Sequence, residues 1–388
     1  MHDVDVAIVG GGPAGLSTAL HLQAAAPGVK LVVLEAETYP REKICAGGIG
    51  GRGLRILERL GLDVGCPIVP LDVLAVKVGS HTLVTREPGL GGVVRRIEFD
   101  HALATQAIAR AIDVRDGCEV TSIAVDADAV RLTTAQREYR ARVVVGADGV
   151  GGIVRRATGF PRGELRAQVV ELDTEAAPDD QPRDTITFDF TARDLRGYTW
   201  DFPTLVAGAP LVCRGAYVLH AGAHESPRTR IARYLADRGL DLRRYRLKQF
   251  AERGFEPGAP IARPRVLLVG EAAGIDIATG EGIAQSLEYG SLAGPYLARA
   301  LAADDVGFAD WQRTVARRHL GKQLRVRHAC YRLFYGQRRD TVERILPRIS
   351  ALVRIGVRDF AGKPMSKLQL LHGAGQALAA YVKENARD

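Results

Sequence analysis

Apolar residues run almost without interruption from Asp3 to Gly10 and stop at a cluster of glycines, the pattern of a buried parallel strand ending in a tight turn. Helix formers follow from Pro13 to Leu22 with proline in the first turn, and Gly28 breaks the chain before a second apolar strand, Lys30 to Leu34. Two later runs, Val143 to Gly149 and Val266 to Gly274, repeat the strand-into-glycine pattern, and Gly280 to Ser286 opens a helix after the second. A helical stretch from Arg96 to about Ile112 turns Phe99 and Leu103, four positions apart, toward a core, and Cys118 to Ile123 reads as a strand. Alternation of period two takes over in Leu71 to Val78 and from about Arg166 to His220, which predicts an antiparallel sheet. There Tyr198, Trp200 and Phe202 share one face of a strand, a flat aromatic wall suited to a long apolar substrate. Pro257 to Pro264 reads as a connecting loop, and from about Phe308 the pattern is helical.

The first strand, helix and second strand form a βαβ unit with Gly10-x-Gly12-x-x-Gly15 at the first junction. Glu35 closes the second strand about 20 residues later, the spacing of a dinucleotide fingerprint. Gly10 permits the turn, Gly12 lets a pyrophosphate approach the helix N-terminus, Gly15 lets helix pack on strand, and Glu35 can accept hydrogen bonds from ribose hydroxyls. The fingerprint alone leaves NAD and FAD both open.

A length of 388 residues allows two or three compact units at roughly 100–200 residues each. Hydrophobic residues at 46% and charged residues at 25% exclude a disordered, collagen-like or coiled-coil chain. A net charge of +8 favours acidic partners: nucleic acid, an anionic membrane surface or a phosphate-bearing ligand. No nucleic-acid-binding module accompanies the charge, so nucleic acid is not expected as a partner. Much of the charge lies toward the end of the chain, where Arg313, Arg317, Arg318, Lys322, Arg325, Arg327, Arg332, Arg338 and Arg339 are interleaved with Leu324, Tyr331, Leu333, Phe334 and Tyr335. That stretch is either a solvated basic face or a peripheral membrane or diphosphate contact.

No apolar run reaches the ~18 residues of a membrane helix, and Asp3 and Asp5 stand where a signal peptide carries positive charge, so a cytoplasmic location is expected. Cys45, Cys66, Cys118, Cys213 and Cys330 are odd in number, scattered and without a CxxC pair, so neither a disulfide framework nor a metal site is expected. Each thiol reads first as a small buried hydrophobe.

Three segments beyond the fingerprint carry a family resemblance. Val143-Val144-Val145-Gly146-Ala147-Asp148-Gly149 with Val154-Arg155 resembles the GADG…VR stretch of FAD-dependent oxidoreductases, the fold shared by aromatic hydroxylases, flavin-dependent halogenases and geranylgeranyl reductases; that superfamily often has Ser where Gly152 stands. Gly270-Glu271-Ala272-Ala273-Gly274, with Gly280-Glu281-Gly282-Ile283, resembles their GDAAG…GEGI segment, although Glu271 replaces the usual Asp and Ile275 to Thr279 lacks the customary proline. Arg96-Ile97-Glu98-Phe99-Asp100-His101-Ala102-Leu103 resembles RxxFDxxL.

Two further segments point to one branch, the geranylgeranyl reductases. Pro40-Arg41-Glu42-Lys43-Ile44-Cys45-Ala46-Gly47-Gly48 looks like their PRxKxCGG stretch, and Tyr198-Thr199-Trp200-Asp201-Phe202-Pro203 matches their YxWxFP motif; halogenases carry a WxWxIP-like stretch instead.

The resemblance implies an α/β fold with three parts: a discontinuous Rossmann-type FAD-binding domain of residues 1–70, 95–165 and 260–300, a substrate-binding antiparallel sheet domain of 71–94 and 166–259, and a helical basic C-terminal region of 301–388. For FAD it implies Gly10, Gly12, Pro13, Ala14, Gly15, Glu35, Ala36, Arg41, Cys45, Ala46, Arg96, Val120, Asp148, Gly270, Glu271, Gly280, Gly282 and Ile283. For catalysis it implies Cys45, a redox or proton-donor candidate, with Tyr198 and Trp200 bounding the cavity. The activity implied is hydride transfer from reduced flavin to a C=C bond of a prenyl lipid or lipid-like specialised metabolite, with NAD(P)H or another donor as reductant. The alternatives are a monooxygenase or halogenase acting through a C4a-hydroperoxide, and a non-catalytic membrane-surface flavoprotein.

Overall fold

The structure, a computed structural model, describes residues 2–219 and 225–385; His220, and residues 386–388 of the expected helical region, lie outside the described residues. Two eight-stranded sheets and a helical C-terminal region make up the fold. In the first sheet the strands Ala262–Arg263, Val266–Leu268, Glu138–Gly146, His2–Val9, Leu31–Leu34 and Asp113–Arg115 lie side by side, and the hairpin Val120–Val125 and Val130–Thr134 joins at Glu138–Gly146. Its centre is parallel, with Val6 opposite both Leu31 and Val143, and Val266 opposite Val144. Parallel strands are covered on both faces, which is why these segments are unbroken apolar runs and why Val6, Ile8, Val143, Val145 and Leu267 are fully buried.

One cover is a pair of helices, Pro13–Ala25 and Ile283–Ala302. They approach so closely that a Cβ on Gly290 would stand 2.5 Å from Cβ of Ser17, and one on Gly294 2.5 Å from Cβ of His21. The second helix thereby brings its own N-terminus alongside the glycine turn of the first.

The second sheet runs Lys248–Arg253, Arg166–Thr174, Ala209–Leu219, Gly197–Val206, Thr185–Asp189, Ile68–Val78, His81–Val94 and Gly48–Gly50. The expected antiparallel sheet is corrected at one pair: Thr185–Asp189 runs parallel to Ile68–Val78. A hairpin forces antiparallel pairing, but here half of the first sheet intervenes in the chain, so direction is set by packing rather than by a turn. Gly48–Gly50 and the start of Ile68–Val78, inside the expected 1–70 segment, also pair in this second sheet. Gly91 makes the former possible, since a Cβ there would lie 2.2 Å from the Ile49 carbonyl oxygen.

Five helices follow: Trp311–Arg317, His319–Phe334, Arg339–Ile345, Ser350–Phe360 and Lys367–Asn385. Tyr331, Phe334, Tyr335, Val353, Val357 and Phe360 pack with Tyr198, Trp200, Phe202 and Tyr217 of the second sheet, so the helices roof its aromatic face. The expected basic face needs a correction as well. Arg327 is not solvated but sits between Asp276 and Glu281, 2.7 Å from each, and Arg339 donates to the carbonyls of Phe190, Ala192 and Leu195 and pairs with Glu343. These two arginines tie the roof to the sheets. No described helix is long and apolar enough to cross a membrane.

Candidate active site

The glycine turn after the first strand has the shape its sequence requires. Gly10 has φ +105°, and a Cβ there would lie 2.4 Å from the Ala147 carbonyl oxygen; one on Gly15 would lie 1.9 Å from the Gly10 carbonyl oxygen. Gly12, the residue before the helix, is different: its missing side chain opens onto two guanidinium groups, Arg96 at 3.6 Å and Arg41 at 4.0 Å from the Cβ position. Two buried arginines facing a helix N-terminus form a ready cradle for a diphosphate. Both are held by carboxylates beneath: Arg96 by Asp100 at 2.6 Å, and Arg41 by Asp100 at 2.9 Å and Glu35 at 3.1 Å. Buried Arg41 Nε has no partner within the protein.

Glu35 also accepts from the Gly11 amide at 2.7 Å and the Glu37 amide at 3.1 Å, so it stiffens the turn as well as marking the strand end. Ala36 follows it, exposed. Ala14 is buried under Gly270, whose φ is +59° and whose Cβ would lie 2.5 Å from the Ala14 Cβ. Val120 begins the hairpin strand, buried, two residues after Cys118, whose amide donates to the Glu35 carbonyl at 2.8 Å; it does not line the cavity described next. Asp148 accepts from the Val154 amide at 2.8 Å through one oxygen while the other, buried, has no partner; burial pushes its carboxyl up to about 6. The unpartnered polar atoms, the open glycine and the paired guanidiniums together fit FAD.

A cavity of about 710 Å³ lies between this region, the second sheet and the helical roof. It brings together Pro13, Cys45, Ala46, Arg96, Glu271, Gly280, Gly282 and Ile283 from the expected cofactor set and both Tyr198 and Trp200 from the expected wall. The remaining cofactor candidates lie outside its lining. Gly282 stands just before the helix Ile283–Ala302, so that helix also points its N-terminus at the cavity, a place where negative charge is stabilised. Gly280 has φ +70°, and a Cβ there would meet the Tyr198 hydroxyl and the Tyr217 ring, each at 3.2 Å. Tyr198 donates to the Thr279 carbonyl at 2.6 Å and stacks on Tyr217 at 5.0 Å. Phe188 lies 5.2 Å from Tyr198 and 5.3 Å from Phe202, extending the aromatic wall.

Cys45 places its amide against Glu171 at 3.1 Å, and its sulfur accepts from the Gly47 amide at 3.4 Å. Burial pushes its thiol up, with Arg96 acting the other way, so it stays protonated at neutral pH. Glu171 is pushed up to about 7 by burial. Among the other thiols Cys330 departs from expectation, being exposed at the rim of the cavity because its helix turns that face outward.

Sequence reasoning missed Glu252 and Tyr217. Glu252 is buried on the cavity wall, and burial, followed by neighbouring Glu271, pushes its carboxyl well above the usual range. Tyr217 Oη lies 3.0 Å from Glu252 Oε1 and 3.2 Å from the Ile277 carbonyl. The signal was present: Phe250 and Glu252, two apart in a strand, set a carboxylate on an apolar face.

The sequence profile described as FAD binding domain matches residues 3–198. The digeranylgeranylglycerophospholipid reductase 3 of Methanosphaera stadtmanae is 27% identical over 399 residues, covering 94% of this chain and 95% of that protein. A geranylgeranyl bacteriochlorophyll reductase-like protein of Thermoplasma acidophilum superposes with a TM-score of 0.78 at 20% identity, over 99% of this chain and 98% of that one. A halogenase superposes with a TM-score of 0.71 at 14% identity, over 98% of this chain and 86% of the other, so the fold is common to both chemistries. With half its length matched and a cradle suited to the dinucleotide, the chain belongs to the FAD binding domain family of flavin-dependent oxidoreductases.

Proposed function

We propose that the protein reduces C=C bonds of a prenyl lipid or a similarly long, apolar metabolite. The observation that carries this reading is the cavity itself, an apolar chamber walled by Tyr198, Trp200, Phe202 and Phe188 and bounded by the flavin-side segments at Cys45–Gly48 and Gly280–Ile283. The name of the Methanosphaera stadtmanae relative, a reductase of a prenylated phospholipid, supports the same substrate class.

The residues around Gly12, Arg41 and Arg96 would hold FAD, and the chemistry it would supply, after reduction by NAD(P)H or another donor, is a hydride. The alkene then needs a proton at its second carbon, and the protonated groups in the cavity lining include the Cys45 thiol and the Glu252 carboxyl. Glu252 is the better donor, because Tyr217, 3.0 Å away, holds its carboxyl in place on the cavity wall. Cys45 packs between Arg96 and Gly47 and positions the turn beside the flavin. Tyr198 and Trp200 hold the substrate flat, and the roof excludes water from the step.

The test is an anaerobic assay in which the flavin is reduced and prenyl lipids and polyenes are offered in turn. Loss of a double bond with flavin reoxidation is the expected result. Turnover that requires O₂ and yields an oxygenated or halogenated product overturns the reading.

A further inference from the structure

A surface helix ordinarily turns its charges outward. The helix Lys367–Asn385 departs from this by turning an acid inward and a row of apolar side chains outward. Its inward Glu384 is buried and paired with Arg344 at 2.7 Å and Arg348 at 2.8 Å, while Leu368, Leu371, Leu378 and Val382 are 76%, 70%, 64% and 56% exposed. Their spacing of three, seven and four residues, with Gly375 at the intervening position, makes one stripe along the helix, flanked by Lys367 and Lys383. Leu370, next to Leu371, is exposed too and belongs to the cavity lining, as do exposed Leu352 and Val326 on the neighbouring helices. The apolar stripe therefore adjoins the rim of the cavity.

On the helices from His319 onward the exposed charge is almost all positive. Lys322, Arg325, Arg332, Arg354, Lys367 and Lys383 are exposed, whereas among the described residues from His319 to Glu384 the one exposed acid is Asp340. A second copy of the chain would bring these cations against their own kind. An anionic lipid surface would accept both the cations and the leucines.

We propose that this face docks on an anionic lipid surface, with the leucine stripe in the acyl boundary, the cations at the headgroups and the cavity mouth turned toward the lipid. Entry of an apolar substrate directly from the bilayer rests on the reductase reading; the docking itself does not.

The test floats the full-length, FAD-loaded protein with vesicles of phosphatidylglycerol and phosphatidylcholine, and with phosphatidylcholine alone. Binding to the anionic vesicles is expected, with a drop of about tenfold or more in the L371E/L378E variant, which removes two exposed leucines without touching the core. The K367E/K383E variant should lose both affinity and most of its salt dependence, while flavin content stays that of the parent. Absence of anionic-vesicle binding, or equal binding by L371E/L378E, overturns the proposal. So does a dimer in light scattering that dissociates in L371E/L378E, because the stripe is then an interface between copies. Flotation reads no turnover, so a failed alkene screen and a failed docking are separate results.

Discussion

Arg327 offers the sharpest test of how the roof is held to the turn before the helix Ile283–Ala302. Its two nitrogens lie 2.7 Å from Asp276 and 2.7 Å from Glu281, whose side chains are 0% and 3% exposed, and both acids belong to the turn leading into the helix Ile283–Ala302. Arg327→Met keeps the apolar stem and removes the charge. Breaking a buried pair by deleting one partner costs about 3–5 kcal/mol. Arg52 still reaches Glu281 at 2.8 Å, and Thr279 still donates its hydroxyl to Asp276 at 2.5 Å, so the loss belongs at the lower end, about 3 kcal/mol. At about 2–4 °C per kcal/mol for larger domains, the melting temperature should fall by roughly 6–12 °C. Burial raises the Glu281 carboxyl, so the loss should shrink as pH falls and that group protonates. Differential scanning fluorimetry that follows both protein unfolding and flavin release is the assay, with exposed Arg332→Met as the control. A loss below about 1 kcal/mol at pH 8 would refute the claim that these charges are unshielded and that Arg327 anchors the roof.

Glu252→Gln should slow alkene reduction by roughly 100-fold while leaving flavin reduction by the donor unchanged, and Cys45→Ala should slow it far less; the reverse order in single-turnover traces would make the thiol the proton donor. Gly15→Val adds atoms where even a Cβ would stand 1.9 Å from the Gly10 carbonyl oxygen, so purified protein should carry almost no FAD, as read from its visible spectrum. His319 bridges Glu288 at 3.2 Å and Asp359 at 2.8 Å, and those hydrogen bonds push it up to about 9. Its folded value lies above the unfolded one of about 6.5, so the stability it contributes is complete below that and lost as pH rises through about 9. Thermal melts should therefore decline more steeply from pH 6.5 to 9.5 in the parent than in His319→Gln; parallel declines would remove this role.

The parts of the fold legible in the sequence are those where local chemistry admits one solution. Gly10, Gly12 and Gly15 each occupy a place where a Cβ would strike backbone or close the cradle, and Tyr198, Trp200 and Phe202 share a face because a strand leaves them no other. What the sequence hid depends on partners far along the chain. The direction of Thr185–Asp189 is fixed by packing on Ile68–Val78, and nothing local distinguishes Arg327, buried between two acids, from exposed Arg325 two residues earlier. Glu252 is a polar residue on an apolar face, a pattern visible but without meaning until Tyr217 and the cavity stand beside it. The leucines of Lys367–Asn385 read equally well as core or as surface, since helical periodicity gives a stripe but not the side on which water lies.

The first sheet also sets a timetable for biosynthesis. Val266–Leu268 completes it by pairing with Val144–Gly146, and the whole of Arg166–Arg253 is made in between. At ribosomal rates of about 5–20 residues per second, the nascent chain waits on the order of ten seconds with the Val144–Gly146 end of its strand presenting an unpaired edge, while Glu138–Ala141 is already paired with the preceding hairpin. During that interval the helix Ile283–Ala302 is not yet made, so the cavity lacks the wall that helix supplies. The charged side chain of Arg142, beside that waiting segment, is suited to discourage neighbouring chains from pairing with it before its own partner emerges.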